Sequence, residues 1–434
     1  MTNKLPQGWV ECELKDLLDL QNGYAFSSKD YVKCSNTLNI RMSNIRPNGI
    51  FDENHNIKYL PDEYAEKYKE YLLKDGDLII AMTDMADNSK ILGVPTVVKH
   101  NDNKNFLMNQ RVGKLIQTSD QGYIPFIKYL LISPKVRDVY KRKGKGGLQL
   151  NLSKNDILNI KIAIPTLDVQ KQIVDKIEEE FGKIDEGVEK LKLAQEQIKQ
   201  YRQSVLKSAF VGKLYKTTEW EEKSIVQITS KIIGGGTPSK NIPQYYEGTI
   251  PFMTVKDMTS SRPTDTEWHI TQEAVSSSST NIIPKDTIII ATRVGLGKIV
   301  RVNFDTTINQ DLKALFLNAS IDKDFCEYLI IYKTPEIISK GRGTTVKGIT
   351  LEELKNIKFH LPLLDEQKQI VKEIEKRFEV ANEVEKVITE NLEKAEQLKQ
   401  SILKKAFEGR LVPQDPTDQP ASKLLAQIQT ERNK

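Results

Sequence analysis

The sequence predicts an α+β protein in which two mixed α/β globules are separated by two long antiparallel coiled-coil helices, the whole forming a pseudo-twofold tandem repeat. Three observations carry this reading. Residues 160–214 recur without a gap as residues 357–411, with 24 of 55 positions identical at a constant offset of 197, and an internal repeat of that length sets the architecture before any local reading. Each copy carries an unbroken apolar stripe at steps of three and four residues, the period of a helix. The segments outside the repeat consist of short apolar or alternating runs bounded by Asn, Gly, Asp and Pro, which is the pattern of strands.

Taken in order, residues 1–160 form the first globule, with strands expected near 38–42, 78–82 and 111–117 and helices near 62–72 and 123–142. Residues 161–213 form the first spacer helix. Ile173, Ile177, Phe181, Ile184, Val188, Leu191, Ala194, Ile198, Tyr201 and Val205 line one side of it. Pro165 closes the preceding segment, Asp168 stands where an N-cap is expected, and Gly212 stands where the chain leaves the helix. From Leu167 to Phe210 the helical stretch counts 44 residues and reaches about 66 Å at 1.5 Å per residue, and a helix striped on a single side needs a partner, which its own repeat supplies. Gly182 and Gly187 weaken this first helix and have no glycine counterparts in the second.

Residues 214–357 form the second globule and echo the first. Trp9 heads one and Trp220 the other; LKDGDLIIAMT matches IPKDTIIIATR, and Asn109-Gln110 matches Asn309-Gln310. Residues 358–412 form the second spacer helix, striped by residues such as Ile370, Ile374, Phe378, Val384, Leu398 and Ile402, with Asp365 and Gly409 at its ends. In the tail, 413–434, a Pro- and Asp-rich arm precedes a short amphipathic helix whose Leu424, Leu425 and Ile428 share one side. That helix is expected to dock on the first globule or on a partner subunit. Two similar units whose helices pair are most simply related by a twofold axis across the pair, which places the globules at opposite ends of a rod.

Composition narrows the class of function. An apolar fraction of 38% with mean hydropathy −0.46 points to a water-soluble chain, the longest apolar runs are far too short to span a bilayer, and no signal-peptide pattern opens the sequence. A cytoplasmic protein without membrane partners is expected. Cys12, Cys34 and Cys326 are odd in number and scattered, so neither a disulfide framework nor a CxxC metal site is available. The four histidines are isolated, and no resident metal is expected. Lys and Arg total 64 against 59 Asp and Glu; the excess lies in the globules, a bias compatible with nucleic acid.

Chemistry-bearing motifs are scarce. Gly234-Gly235-Gly236-Thr237-Pro238-Ser239-Lys240 has the composition of a phosphate loop but not its spacing. No NPPY or DPPY tetrapeptide of an amino-methyltransferase occurs. The enzymatic alternative is a metal-dependent DNA nuclease in which Asp286 and Asp311 gather Mg²⁺ and Lys313 assists.

Basic, glycine-rich segments are more informative, because Lys and Arg at high density suit phosphate contacts and glycine lets a backbone approach closely. Lys141, Arg142, Lys143 and Lys145 form one such segment. Arg342, Thr344, Thr345 and Lys347 occupy the matching place in the second globule. Base reading calls for Arg, Asn, Gln, Ser or Thr on nearby loops. Asn22, Tyr24, Arg41, Asn44 and Arg46 are the candidates in the first globule, and Thr237, Ser239, Lys240, Lys256 and Arg293 in the second.

With the repeat laid out, the chain resembles the specificity subunit of a type I restriction-modification system. The resemblance rests on the helix openings IPTLDVQKQIVDKIEEEF and LPLLDEQKQIVKEIEKRF, the helix endings QSVLKSAFVGKL and QSILKKAFEGRL, the opening LPQGW, and the tail LVPQDPTDQPASKLL. Val169 departs from it, standing where the second copy has Glu366. The resemblance implies that the globules are target-recognition domains, each reading one half of a bipartite site in double-stranded DNA, with the helices as spacer. It further implies a non-catalytic chain that docks two methyltransferase (modification) subunits and two restriction/translocase subunits. S-adenosylmethionine, ATP and Mg²⁺ would then belong to those partners, with no cofactor in this chain.

A rod that spaces two heads acts as a ruler. Heads one turn of duplex apart, about 34–36 Å, leave roughly 5 to 8 unread base pairs between half-sites of about 3 to 5. Four residues inserted in phase after Glu189 and after Lys386 add about 6 Å. The unread gap in the methylated motif should then lengthen by about one or two base pairs at roughly 3.4 Å each, with both half-sites unchanged when the motif is mapped in cells.

Overall fold

The computed structural model of the chain describes residues 5–87, 89–99, 103–343, 347–413 and 421–432. Thr344, Thr345, His100 and the 414–420 part of the tail arm lie outside them. The described residues fall into two compact units, one within 1–190 and 391–434 and the other within 191–390. Each unit therefore contains one globule, the start of the helix that follows it and the end of the other helix.

The first globule is built on two four-stranded sheets. One is antiparallel, in the order Leu18–Asn22, Val112–Gln117, Leu78–Ala81, Pro95–Val97. The other, in the order Tyr59–Leu60, Thr37–Ile40, Asn105–Met108, Leu72–Leu73, has one parallel pair at its centre. The second globule repeats both. Its antiparallel sheet runs Thr229–Gly234, Leu312–Leu317, Ile288–Ala291, Ile299–Arg301, and its mixed sheet runs Trp268–Ile270, Ile250–Met253, Thr306–Ile308, Ile282–Ile283. The strands Leu78–Ala81 and Ile288–Ala291 are buried on both faces, which is why their sequences are uninterrupted apolar runs rather than alternating ones.

The helices of the first globule are shorter than the periodicity predicts. Only Tyr64–Lys67 and a following single turn form in the region 62–72. The segment 123–142 divides into Ile124–Ile132 and Pro134–Lys143. The break falls at Ser133, held in extended backbone because the ring of Pro134 crowds the residue before it. The second globule keeps one helix there, Lys323–Lys340, with Pro335 inside it.

An antiparallel pair ties the two ends of each globule together, Val10–Glu13 with Lys161–Ile164 and Glu221–Ser224 with Lys358–Leu361. With two residues intervening after each pair's second strand, a 44-residue helix begins: Leu167–Phe210 in the first case and Leu364–Phe407 in the second. Asp168 and Asp365 lie within the first turn rather than at the cap, where a carboxylate still faces the positive end of the helix dipole. Gly212 and Gly409 leave the helices at φ of 74° and 68°, the left-handed backbone in which glycine has no steric penalty. At Gly409 a Cβ would also stand 2.5 Å from the Pro6 ring.

The start of each helix is locked by one buried glutamine. Gln170 accepts from Tyr123 N at 2.9 Å and donates to the carbonyls of Gln121 and Pro165 at 2.8 and 2.9 Å. Gln367 accepts from Asp322 N at 2.8 Å and donates to the carbonyls of Ser320 and Pro362 at 3.2 and 3.0 Å. Around these locks Val169, Ile173, Val174 and Ile177, with Ile402, Leu403 and Ala406 from the other helix, merge into the first globule's core. Ile370, Val371 and Ile374, with Val205, Leu206, Ala209 and Phe210, do the same in the second.

The paired helix segments run antiparallel within each unit, and they meet through the same contact with the roles of the copies exchanged. Lys399 Nζ lies 5.2 Å from the Phe181 ring and 2.5 Å from Asp185 Oδ1. In the other unit Arg202 lies 5.2 Å from the Phe378 ring and donates to Asn382 at 2.7 Å and Glu385 at 2.8 Å. Phe181, Asp185 and Arg202 are the repeat counterparts of Phe378, Asn382 and Lys399. Such cation–ring contacts contribute about 0.5–2 kcal/mol each. Tyr201, Val384 and Leu398, which the stripe places in the seam, are 44, 46 and 51% exposed, consistent with the drift of a 3.6-residue helix relative to a 3.5-residue repeat. Gly182 and Gly187 sit in open space on an unbroken helix.

Val169 and Glu366 occupy equivalent buried positions with different uses. Val169 packs into the core, whereas the Glu366 carboxylate accepts from Thr217 N at 2.7 Å and from the Thr218 hydroxyl. Burial opposes its charge, yet the bonds from Thr218 and Thr217 hold it below the ordinary glutamate range. The tail helix Ala421–Arg432 docks on the first globule: Leu424 and Ile428 are buried in its core, and Glu431 accepts from Ser119 and from Gln121.

Replacing Gln170 or Gln367 with Ala leaves three backbone groups without partners, at about 1–3 kcal/mol for each group left buried. Either variant should lower the stability of its own unit by about 3 kcal/mol or more. Urea melting of the full chain, followed by proteolysis to identify the opened unit, measures it.

Candidate nucleic-acid interface

A glycine–asparagine crossing organises the exposed loops of each globule. In the first, the chain leaving Leu18–Asn22 passes so close to the next sheet that a Cβ on Gly23 would stand 2.2 Å from the Asn109 carbonyl. Tyr24 N donates to Met108 O and Gln110 N to Tyr24 O, each at 2.9 Å. In the second, a Cβ on Gly235 would stand 1.9 Å from the Ile308 carbonyl, and Gly236 N donates to that oxygen at 3.1 Å. Asn109 and Asn309 are buried and accept from the backbone two residues on. Gln110 and Gln310, one position further, are exposed. The Asn-Gln match visible in the sequence is thus a shared frame that turns one glutamine outward, and neither glutamine was among the sequence candidates.

Asn22 and Tyr24 flank the first crossing and are exposed. The Tyr24 ring lies 4.5 Å from Tyr68, 5.0 Å from Phe26 and 5.4 Å from Tyr71, with Lys67 Nζ 5.2 Å from the Tyr68 ring. Thr237, Ser239 and Lys240 follow the second crossing and are exposed. The Thr237 hydroxyl donates to Gln310 Oε1.

Arg41, Asn44 and Arg46 share one turn, but Asn44 is not available to DNA. It is 2% exposed, accepts from Arg41 N at 2.9 Å, and donates to the carbonyls of Asp52 and His55 at 2.9 and 3.1 Å. An amide so fully used holds the turn. Asp257 has the same task in the second globule, accepting from Thr254 N at 2.7 Å and leaving Lys256 exposed beside it. Arg41 and Arg46 are half-buried, and Arg41 donates to Asn56 O at 2.6 Å.

The basic segments form equivalent loops. Lys141, Arg142 and Lys143 end the helix Pro134–Lys143, and the chain then closes a small loop by paired backbone bonds between Lys145 and Asn151 at 3.1 and 2.9 Å. In the second globule the paired bonds join Arg342 and Gly348, both at 2.9 Å, six residues apart as before. Past each loop the chain bonds back to the sheet, Leu152 N to Met82 O at 2.8 Å and Ile349 N to Thr292 O at 2.9 Å, and in the first globule Gln149–Asn151 also pairs antiparallel with Thr83–Met85. Lys141, Arg142, Lys145, Arg342 and Lys347 are exposed and Lys143 is half-buried. Arg342 also meets Glu353 at 3.0 Å. Arg293 joins the second loop through a bridge to Gly348 and lies 3.7 Å from Asp311. Arg137, basic in sequence, donates instead to Lys90 O at 3.0 Å, and its burial draws its pKa down to about 10.

The nuclease triplet does not assemble. Asp286 precedes the strand Ile288–Ala291 and pairs with Lys323 at 2.5 Å and Arg301 at 3.4 Å, the Lys323 bond holding its carboxyl below the usual range. Asp311 lies past the other end of that strand, where its carbonyl accepts from Thr292 N. Six residues of extended chain separate the two, roughly 20 Å at about 3.3 Å per residue. Lys313 is spent on the carbonyls of Gln310 and Leu312. Among the described residues no group of three His, Cys, Asp or Glu side chains is placed to hold a metal.

Comparison with known proteins gives a consistent result. Residues 6–195 and 217–394 match the family model described as the type I restriction modification DNA specificity domain. The chain is 31% identical over 242 residues to the type I restriction enzyme EcoR124I/EcoR124II specificity subunit of Escherichia coli, a match that covers 54% of this chain and 57% of that one. It is 23% identical over 468 residues to the EcoKI specificity subunit of Escherichia coli strain K12, covering 99% and 96%. A solved chain, described in terms of the complex assembly and conformational transition of the type I R-M system, superimposes with a TM-score of 0.67 at 20% identity, covering 94% of this chain and 99% of that one. That likeness shows a shared fold.

Proposed function

We propose, from the premise that this chain belongs to the type I restriction-modification DNA specificity family, that its two globules each read one half of a bipartite DNA site while partner subunits carry out the chemistry. The observation that carries this reading is the recurrence, in both globules, of a basic loop closed in the same way beside a glycine–asparagine crossing that turns a glutamine outward. Residues 1–160 and 214–357 are then target-recognition domains, 161–213 and 358–412 spacer helices, and 413–434 a tail that closes the first domain.

Phosphate binding falls to Lys141, Arg142, Lys143 and Lys145 in the first domain and to Arg342, Thr344, Thr345 and Lys347 in the second. Base reading falls to Asn22, Tyr24, Arg41 and Arg46, and to Thr237, Ser239, Lys240, Lys256 and Arg293. The helices dock two methyltransferase subunits, and the complex takes two restriction/translocase subunits for cleavage. Exposed Val380, Val384 and Val387, spaced along one helix face, support a docking role, since apolar side chains so placed gain from being covered. S-adenosylmethionine, ATP and Mg²⁺ are bound by those partners.

Charge reversal of Arg142, Lys143 and Lys145 tests the reading. DNA affinity should fall about equally on cognate and unrelated duplexes, and the slope of log affinity against log salt should flatten by about one for each phosphate no longer neutralised. An altered motif with an unchanged salt slope would place these residues among the base readers instead.

A further inference from the structure

The second globule has a cavity of about 680 Å³ beside its glycine–asparagine crossing, walled by Tyr246, Phe252 and Trp268 and lined by Thr237, Lys240 and Gln310. Its size falls in the range of sites that enclose a compact ligand. Trp268 is 45% exposed, and Tyr246 meets it edge to face at 5.4 Å. The Tyr246 hydroxyl donates to Pro238 O at 2.7 Å, which ties this wall to the loop carrying Thr237 and Lys240. The Thr237 hydroxyl donates to Gln310 Oε1, leaving the Gln310 Nε2 donors without a partner among the described residues.

The equivalent place in the first globule has other chemistry on the same frame. Phe252 and Trp268 are opposed across antiparallel strands; the corresponding residues are Asn39 and Lys58, joined there by Asn39 N to Lys58 O at 2.9 Å. The ring over them is Tyr31, whose hydroxyl accepts from the Asn39 amide at 3.1 Å and whose centroid lies 6.0 Å from Lys58 Nζ. One head thus carries three aromatic rings where the other carries a ring, an amide and an ammonium. Aromatic walls with unpaired amide donors, and a lining that holds both the Lys240 ammonium and the Glu247 carboxylate, fit a flat heterocycle bearing acceptor and donor atoms.

We infer that this cavity seats one nucleobase displaced from the duplex stack, its ring against Trp268 and Tyr246 and its acceptor edge toward Gln310. The inference rests on the reading that this globule binds DNA, and it makes Tyr246, Trp268 and Gln310 determinants of the second half-site. A base out of the stack presents both faces to aromatic side chains, and such stacking is sequence-tolerant until an amide selects the edge.

Trp268 reports on this directly, because Trp9 is 3% exposed and Trp220 half-buried. The full chain is titrated with a duplex carrying one unpaired base, the same duplex fully paired, and free deoxynucleoside monophosphates, with tryptophan emission and affinity as readouts. The unpaired-base duplex should quench emission, the quench should vanish in Trp268→Phe, and Tyr246→Ala should weaken that duplex about tenfold or more while paired DNA changes little. A quench that persists in Trp268→Phe, or equal losses on paired and unpaired DNA, overturns the inference while leaving DNA binding intact. Equal quenching by free monophosphates overturns it in favour of a nucleotide site. No binding of any duplex overturns both the cavity's role and the proposed function. Trp268→Phe keeps an aromatic ring in the wall, so its unchanged melting separates these outcomes from misfolding.

Discussion

Everything in this chain depends on how a 44-residue helix is joined to a globule at a fixed angle. The strand exit just ahead of each helix leaves a backbone carbonyl to be satisfied, and the loop beside it leaves a donor and a carbonyl. One buried glutamine answers both: Gln170 and Gln367 each bind three backbone groups on the loop and the strand exit that flank the helix. A longer or charged side chain would not fill that niche without leaving a charge buried. With the entry angle set, the first three turns of each helix become part of its globule's core rather than an appendage to it.

The second consequence is reciprocity. Because each globule packs the start of one helix and the end of the other, neither copy of the repeat is complete without its sibling. The exchange of Lys399 on Phe181 for Arg202 on Phe378 shows the same contact made by either copy. Asymmetry enters where the copies have diverged, as where Glu366 binds the 217–218 linker while Val169 packs in the core, and where the tail helix completes the first globule.

The repeat, the helix lengths and the glycine exits were legible in the sequence because each is a local pattern with a period. The helix caps were misplaced, since Asp168 serves the dipole from inside the first turn, a choice that pattern alone does not distinguish. The split at Ser133 is written in Pro134, yet Pro335 at a similar place lies inside an unbroken helix, so the proline alone does not decide the break. The candidate interface was half legible. Clustered lysines and glycines announce a loop, but Asn44 looks like any exposed asparagine until Asp52 and His55 fold back on it. Trp268, Tyr246 and Phe252 lie 6 to 22 residues apart in sequence, and only strand pairing brings them together.

The proposed function makes the two globules separate readers mounted on shared helices. That claim is tested most directly by exchanging residues 213–356 for the matching segment of a family member and mapping the methylated motif in cells that also carry the modification partner. Separate readers predict a motif in which one half changes and the other half and the gap stay as they were. A motif in which both halves change together would contradict it.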